Sequence, residues 1–199
     1  MLITNEDNME LMARYEDNYF DLAIVDPPYR DTNQPTKDMR ANGSMKSLEG
    51  RPTKEYWNEL KRVSKNQIIW GANNFGLPQW KGFVAWKKKT IGLKFTMSML
   101  EIASLSENLG TTSKWIEIAP QNPNRIHPTE KPVKLYEWLL MNYAKDGYKI
   151  LDTHLGSGTI AIACHNLGYD LTACELDKEY YNAAMKRIEQ HKAQIRMFV

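Results

Sequence analysis

Two acids and two glycines near the C-terminal end have the types and spacing needed to hold a ligand close to the backbone. Asp152 ends a short apolar run over residues 148–151, and Gly156 and Gly158 follow within Thr153-His154-Leu155-Gly156-Ser157-Gly158-Thr159. Lacking Cβ atoms, the glycines let a ligand approach the main chain. Thr159 to Leu167 reads as a helix whose first N–H groups face the same place. Gly156, Gly158 and Ala161 spell G-x-G-x-x-A, a dinucleotide-type fingerprint, and Glu175 ends the next apolar run, residues 171–174, where such folds carry an acid. A turn of this composition also serves as a plain tight loop, so the spacing alone does not decide.

The other end of the chain supplies a second signal. Residues 21–25 form a short apolar strand that runs into Asp26-Pro27-Pro28-Tyr29, and residues 127–132 read His-Pro-Thr-Glu-Lys-Pro. These two motifs followed by the glycine turn resemble, in content and order, the β-class amino-methyltransferases that methylate DNA bases. The resemblance covers nearly the whole chain, most strongly residues 125–188 and most weakly residues 30–51. It implies S-adenosylmethionine as cofactor, double-stranded DNA as partner, and an enzyme of restriction-modification or phage type. It also implies a doubly wound, mainly parallel α/β sheet of Rossmann-like methyltransferase type with an antiparallel end, circularly permuted so that the two chain ends meet in one sheet. Only residues 119–126 separate the last expected strand from the His-Pro-Thr-Glu-Lys-Pro run, leaving no room for the DNA-reading domain that relatives often carry there.

Moving a methyl group from a sulfonium to an exocyclic amine releases a neutral thioether, so the demand falls on the amine. Its lone pair is delocalised into the base, and acceptors on its two N–H groups favour the pyramidal form that attacks. The resemblance gives that role to the Asp26 carboxylate and the Pro27 carbonyl, with Pro28 stiffening the corner and Tyr29 stacking on a base flipped out of the duplex. On the cofactor side it places Glu175 on the ribose hydroxyls and Gly156, Ser157, Gly158 and Thr159 around the methionine moiety, beside Asp26. Asp152 orients that loop or the amino group, and Thr129 and Lys131 close the methionine end, with His127 bracing their turn. Asp7 matches an acid near the adenine and reads equally well as a helix cap; Glu6 stands where a glycine usually precedes that acid. His154 lies in the cofactor turn where relatives usually have phenylalanine, and it is given no catalytic part because the mechanism asks for no histidine.

The elements that position these residues follow from apolar periodicity. Residues 2–4 read as a strand, and Asp7 or Asn8 caps a helix over residues 9–15. Residues 30–52 show neither period and read as a loop, which at that length serves as a lid, a binding loop or a disordered segment. Residues 53–63 have helical spacing at Tyr56, Trp57, Leu60 and Val63, and residues 67–70 form a buried strand broken by residues 71–76. Residues 82–86, 99–104 and 114–118 read as strands with no long helix between them, the antiparallel end of the sheet. Pro132 starts a helix over residues 133–143, and Asp177 caps a last one over residues 178–195. Trp70, Trp80 and Trp86 fit the core better than a role as base-stacking platforms.

The 199 residues read as one domain, with a catalytic half over residues 1–126 that contains loop 30–52 and a cofactor half over residues 127–199. No apolar run approaches the roughly 20 residues of a membrane span and the polar start is no signal peptide, so a cytoplasmic enzyme is expected, with a homodimer left open. Cys164 and Cys174 fall on apolar faces and are expected as buried free thiols; no metal-ligand spacing occurs. A net charge of +2 neither demands nor excludes nucleic acid. Candidate DNA contacts are Arg30, Lys37, Arg40, Lys46 and Arg51 in the long loop and the run Lys87-Lys88-Lys89, which also reads as a solvated turn. Asp at the head of the first motif favours adenine N6 over cytosine N4. Two other classes compete. A nicotinamide-dependent oxidoreductase lacks a second nucleotide-binding half after Glu175, and a non-catalytic nucleic-acid-binding module leaves the intact acid and tyrosine without a use.

Overall fold

The apolar runs become strands and the amphipathic runs become helices in the order the periodicity implies. A computed structural model of the chain describes residues 1–29, 32–33, 48–77, 81–94, 98–120 and 125–194. In chain order these form β1 (Leu2–Thr4), α1 (Asn8–Met12), β2 (Leu22–Val25), β3 (Thr32–Asn33), β4 (Leu48–Glu49), α2 (Lys54–Val63), β5 (Gln67–Trp70), β6 (Gly82–Lys88), β7 (Leu100–Leu105), β8 (Lys114–Ile118), α3 (Val133–Tyr143), β9 (Lys149–Asp152), α4 (Thr159–Leu167), β10 (Asp170–Cys174) and α5 (Lys178–Ala193).

One eight-stranded sheet runs β1-β10-β9-β2-β5-β7-β6-β8. Its first five strands are parallel, and β7 runs antiparallel to both β5 and β6. The sheet is doubly wound and permuted as expected: β1, from the start of the chain, pairs with β10, from near its end. Three expectations need correction. β8 lies parallel to β6, so only β7 reverses direction. β6 continues through Lys88, which makes Lys87 and Lys88 strand residues rather than a turn. The first helix stops at Met12. Within the long segment after Tyr29, Thr32–Asn33 pairs antiparallel with Leu48–Glu49 as a ribbon of its own, where no regular element was expected. Residues 30–31, 34–47, 78–80, 95–97, 121–124 and 195–199 lie outside the described residues, and with them Arg30, Lys37, Arg40, Lys46 and Trp80.

Strand alternation feeds two cores. Leu22, Ile24, Ile68, Ile150 and Leu171 face α3, α4 and residues Ala184 and Ile188 of α5. Ala23, Val25, Ile69, Leu151 and Cys174 face α1 and α2. A strand covered on both sides reads as a continuous apolar run, which is why β2 and β5 are buried at every position. Trp70 and Trp86 are core residues, and both cysteines are buried free thiols. No helix among the described residues is long and apolar enough to cross a membrane.

Candidate active site

The five parallel strands end on one edge. β9 leads on through α4 to β10 on one side, while β2 leads to β5 on the other, so the winding changes sense between β9 and β2. Open α/β sheets leave a crevice at such a point. Here a cavity of about 680 Å³ lies over it, within the range of small-ligand sites.

The Asp26–Tyr29 corner forms one wall. Asp26 to Tyr29 follow β2 directly and all four border the cavity. The Tyr29 hydroxyl donates to Asp26 Oδ1 at 2.8 Å, which fixes the ring relative to the acid. Behind the ring stands Gly71, in the left-handed region at φ 63°; a Cβ there would fall 2.3 Å from a Tyr29 ring carbon. Gly71 cannot retreat easily, because its N–H donates to Ile102 O at 2.8 Å and its carbonyl accepts from Asn74 N at 2.8 Å and Nδ2 at 2.9 Å. Phe75 meets Tyr29 edge-on at 6.0 Å, and the Arg51 guanidinium sits 5.7 Å from the Phe75 ring while donating to Asn74 O at 2.5 Å.

Asp26 Oδ2 is ion-paired with Lys131, whose ammonium also lies 3.0 Å from Glu101 Oε2. Glu101 Oε1 in turn pairs with Lys88 at 2.5 Å. Lys131 therefore borders the expected cavity, but its charge is turned toward the catalytic acid and β7. Burial pushes the Asp26 carboxyl up and Lys131 pulls it back; burial also raises Glu101, but Lys131 and Lys88 overcome this and hold it at about 2. Burial lowers Lys131 as well, yet Asp26 and Glu101 lift it above the usual lysine value. Burial and the neighbouring Asp26 keep the Tyr29 hydroxyl protonated. Sequence reading missed Glu101 and Lys88.

The opposite wall is the glycine turn. Glu175 ends β10 and its two oxygens accept from Gly156 N at 2.8 Å and Asp177 N at 2.9 Å, so the acid is braced at the mouth of the turn with lone pairs to spare. Gly156 has φ 54° and borders the cavity, with His127 the nearest side chain to its absent Cβ at 3.5 Å. The other glycine serves a different purpose from the one expected: a Cβ on Gly158 would meet Ile188 at 3.0 Å and Ala184 at 3.2 Å, so its absence lets α5 pack close. Ser157 and Thr159 are buried and bond each other at 2.8 Å. Asp152 is also buried, accepts from His154 N at 2.9 Å and is pushed up to about 8 by burial, so it braces the turn from beneath. Arg187 ties the walls together, donating to Ser157 O at 2.9 Å and pairing with Glu130 at 3.1 Å.

Asp7 caps α1 by accepting from Met9 N at 2.7 Å and also borders the cavity, so both readings of it find a place. His154 borders it too, its Nδ1 2.9 Å from Thr153 Oγ1, which lies 2.6 Å from the Tyr56 hydroxyl. Burial lowers His154 to about 3 and His127 to about 4, so both rings are neutral. Thr129 lies beside His127, Oγ1 to Nδ1 3.2 Å. Among the candidate DNA contacts, Lys87 pairs with Glu117 at 3.2 Å, Lys88 is committed to Glu101, and Lys89 is exposed in the turn after β6. No group of His, Cys, Asp or Glu among the described residues could hold a metal ion.

Known proteins share stretches of this sequence and its fold. The type II methyltransferases M2.DpnII of Streptococcus pneumoniae and M.HpaI of Haemophilus parainfluenzae are 40% identical over 63 residues and 36% identical over 69; these matches span 32% and 34% of this chain and 24% and 22% of those proteins. The putative methylase YubD of Escherichia coli K12 is 25% identical over 209 residues, covering 92% of this chain and 87% of that one. In fold the chain resembles the M1.HpyAVI–S-adenosylmethionine complex (TM-score 0.64, 19% identity, 94% of this chain and 98% of that one) and the cytosine-N4-specific PvuII DNA methyltransferase (TM-score 0.65, 12% identity, 96% and 89%). A family model described as DNA methylase, of the N6/N4 type, matches residues 5–186. The chain belongs to this DNA methylase family.

Proposed function

We propose that the protein transfers a methyl group from S-adenosylmethionine to the exocyclic N6 amine of an adenine flipped out of double-stranded DNA. The observation that carries this is the meeting of two chemically distinct walls in one cavity: an acid–tyrosine corner for the amine, and a glycine turn with a braced carboxylate for the cofactor. The fit to the cofactor rests on Gly156, which lines the cavity in the left-handed region at φ 54°, and on Glu175, an acceptor suited to ribose hydroxyls. Bound there, S-adenosylmethionine supplies a methyl group on a positively charged sulfur.

The chain's own residues act on the amine. Asp26 Oδ1 and the Pro27 carbonyl accept its two N–H groups, drawing the lone pair out of the ring toward the methyl carbon. The Tyr29 ring stacks on the base, offsetting part of the few kcal/mol spent in flipping. Asp26 also stands on the side where the amine's spare proton would leave once the bound cofactor had supplied its methyl group. Arg51, anchored at the cavity rim, and Lys89 are placed to meet the DNA backbone, with the rest of loop 30–52 supplying sequence choice.

Methyl-labelled cofactor with unmethylated DNA or RNA, followed by digestion to nucleosides, tests the reading. Label in N6-methyladenine of duplex DNA is expected. Label in N4-methylcytosine would move the chain beside its PvuII-like structural neighbour, and no label in any nucleic acid would end the proposal.

A further inference from the structure

Four charged side chains run in a line from the catalytic acid into the antiparallel end of the sheet: Asp26, Lys131, Glu101 and Lys88. Lys131 is 3% exposed, Lys88 16% and Glu101 22%. Nothing in the amine chemistry requires the last two, yet burying them costs free energy unless each is paired. The pairing is complete. Lys131 has three N–H donors; its partners are Asp26 Oδ2, Glu101 Oε2 at 3.0 Å and the Trp70 ring, 5.0 Å from ammonium to centroid. Lys88 lies 5.3 Å from the Trp86 ring centroid and 2.5 Å from Glu101 Oε1. Trp70 and Trp86 pack edge-on at 6.4 Å beneath the two lysines.

We infer that Glu101, held by Lys88, is a positioning residue for methyl transfer: it shares the Lys131 ammonium with Asp26 and balances its charge, leaving Asp26 free to accept from the target amine. The reasoning has two parts. With Glu101 gone, Lys131 would have Asp26 as its one carboxylate partner and would crowd the oxygens the amine needs. The four groups also sum to no net formal charge. Removing the Glu101 charge alone leaves the corner one positive charge richer, next to an amine on which positive charge develops as it attacks, in a largely buried corner where screening is weaker than in water. Lys88 acts on Asp26 only through Glu101, so its effect must vanish or change sign once Glu101 is neutral.

This inference rests on the proposed reaction, and its test separates the two. Glu101→Gln, Lys88→Met and the double variant are compared with wild type for cofactor affinity by calorimetry and for methyl incorporation into a DNA that the wild type labels. Failure of wild type to label DNA overturns the reaction itself. With wild type active, Glu101→Gln is expected to lower kcat by about 10- to 100-fold, the scale of coupling within one ionic network, with cofactor Kd and the KM for DNA within a few-fold of wild type. Adding Lys88→Met to Glu101→Gln restores the charge balance and should regain at least about 5-fold in kcat. A structural role in packing predicts the opposite, two losses that accumulate. Should Glu101→Gln not fold, Lys88→Met carries the test: it releases Glu101 Oε1, and a kcat loss of about 3- to 10-fold at unchanged cofactor Kd, the lost positioning outweighing the gain from the extra negative charge, supports the inference. An unchanged kcat in either single variant, or a double variant slower than Glu101→Gln, overturns it.

Discussion

Gly71→Ala isolates the placement of Tyr29 from its chemistry, because the substitution leaves every catalytic side chain in the sequence. The new Cβ would lie 2.3 Å from Tyr29 Cε1 and 2.5 Å from Cζ. An ordinary carbon–carbon contact is about 3.7 Å, so the gap must open by about 1.4 Å. Gly71 is pinned by its bonds to Ile102 and Asn74, and the ring is therefore the part that moves, breaking its 2.8 Å bond to Asp26. A misplacement of about 1 Å at a reacting centre can cost about 100-fold in rate, and a left-handed alanine costs roughly 1–2 kcal/mol of stability. Single-turnover methyl incorporation should fall by about 100-fold, while calorimetry shows the cofactor bound as before, since the glycine turn lies across the cavity. Tyr29→Phe keeps the ring and loses only the hydroxyl, so it should be the milder of the two. A folded Gly71→Ala protein that methylates within about threefold of wild type would refute the claim that Gly71 sets the position of the ring.

Asp26→Ala should abolish methyl transfer with cofactor affinity nearly unchanged, since Asp26 acts on the amine; activity near wild type in the incorporation assay would sink the mechanism. Glu175→Ala should weaken cofactor binding by about 1.5–3 kcal/mol, read by calorimetry, and an unchanged Kd would move the ribose contact elsewhere. Between pH 6.5 and 4.5 the unfolded chain takes up protons on two histidines that the fold holds at about 4 for His127 and about 3 for His154, which lowers stability as pH falls, while Asp152, held at about 8 in the fold, takes up its proton in the folded state and offsets one of the two. The net of one proton sets a limiting slope of about 1.4 kcal/mol per pH unit, and His154→Phe should bring it close to zero in urea titrations between pH 4.5 and 6.5; an unaltered slope would show that His154 is not buried neutral. Replacing Arg51 with alanine should weaken DNA binding and shift its salt dependence, whereas an unchanged salt slope would take Arg51 off the backbone.

The strands and helices were legible because burial on two faces writes a distinct signature: an unbroken apolar run for β2, an apolar triplet for β5, helical spacing for α2. The glycine turn and the Asp-Pro-Pro-Tyr corner were legible as motifs, and the structure brings both to one cavity. What eluded the reading were residues whose meaning depends on which way a long side chain reaches. Glu101 sits between Leu100 and Ile102, so β7 carries apolar residues on both sides and its inward face could not be told by alternation; in the structure Glu101 shares the inward side with Ala103 and Leu105. The available signal was an acid in a strand otherwise apolar. Lys88, in a run of three lysines, looked like a solvated turn because composition does not reveal that β6 extends through it. Lys131 was assigned to the methionine end, and its four-carbon stem carries the charge to Asp26 instead.

The permuted order of strands bears on how the protein is made. β2 lies in the sheet between β5 and β9, and β9 begins only at Lys149. A ribosome that has released the first 126 residues has therefore exposed the catalytic corner on a strand with one edge unpaired, a surface open to wrong partners. Pairing across so long a stretch of chain is slow to nucleate. Until β9 and β10 emerge, a nascent chain holds Asp26 and Tyr29 without the turn that faces them.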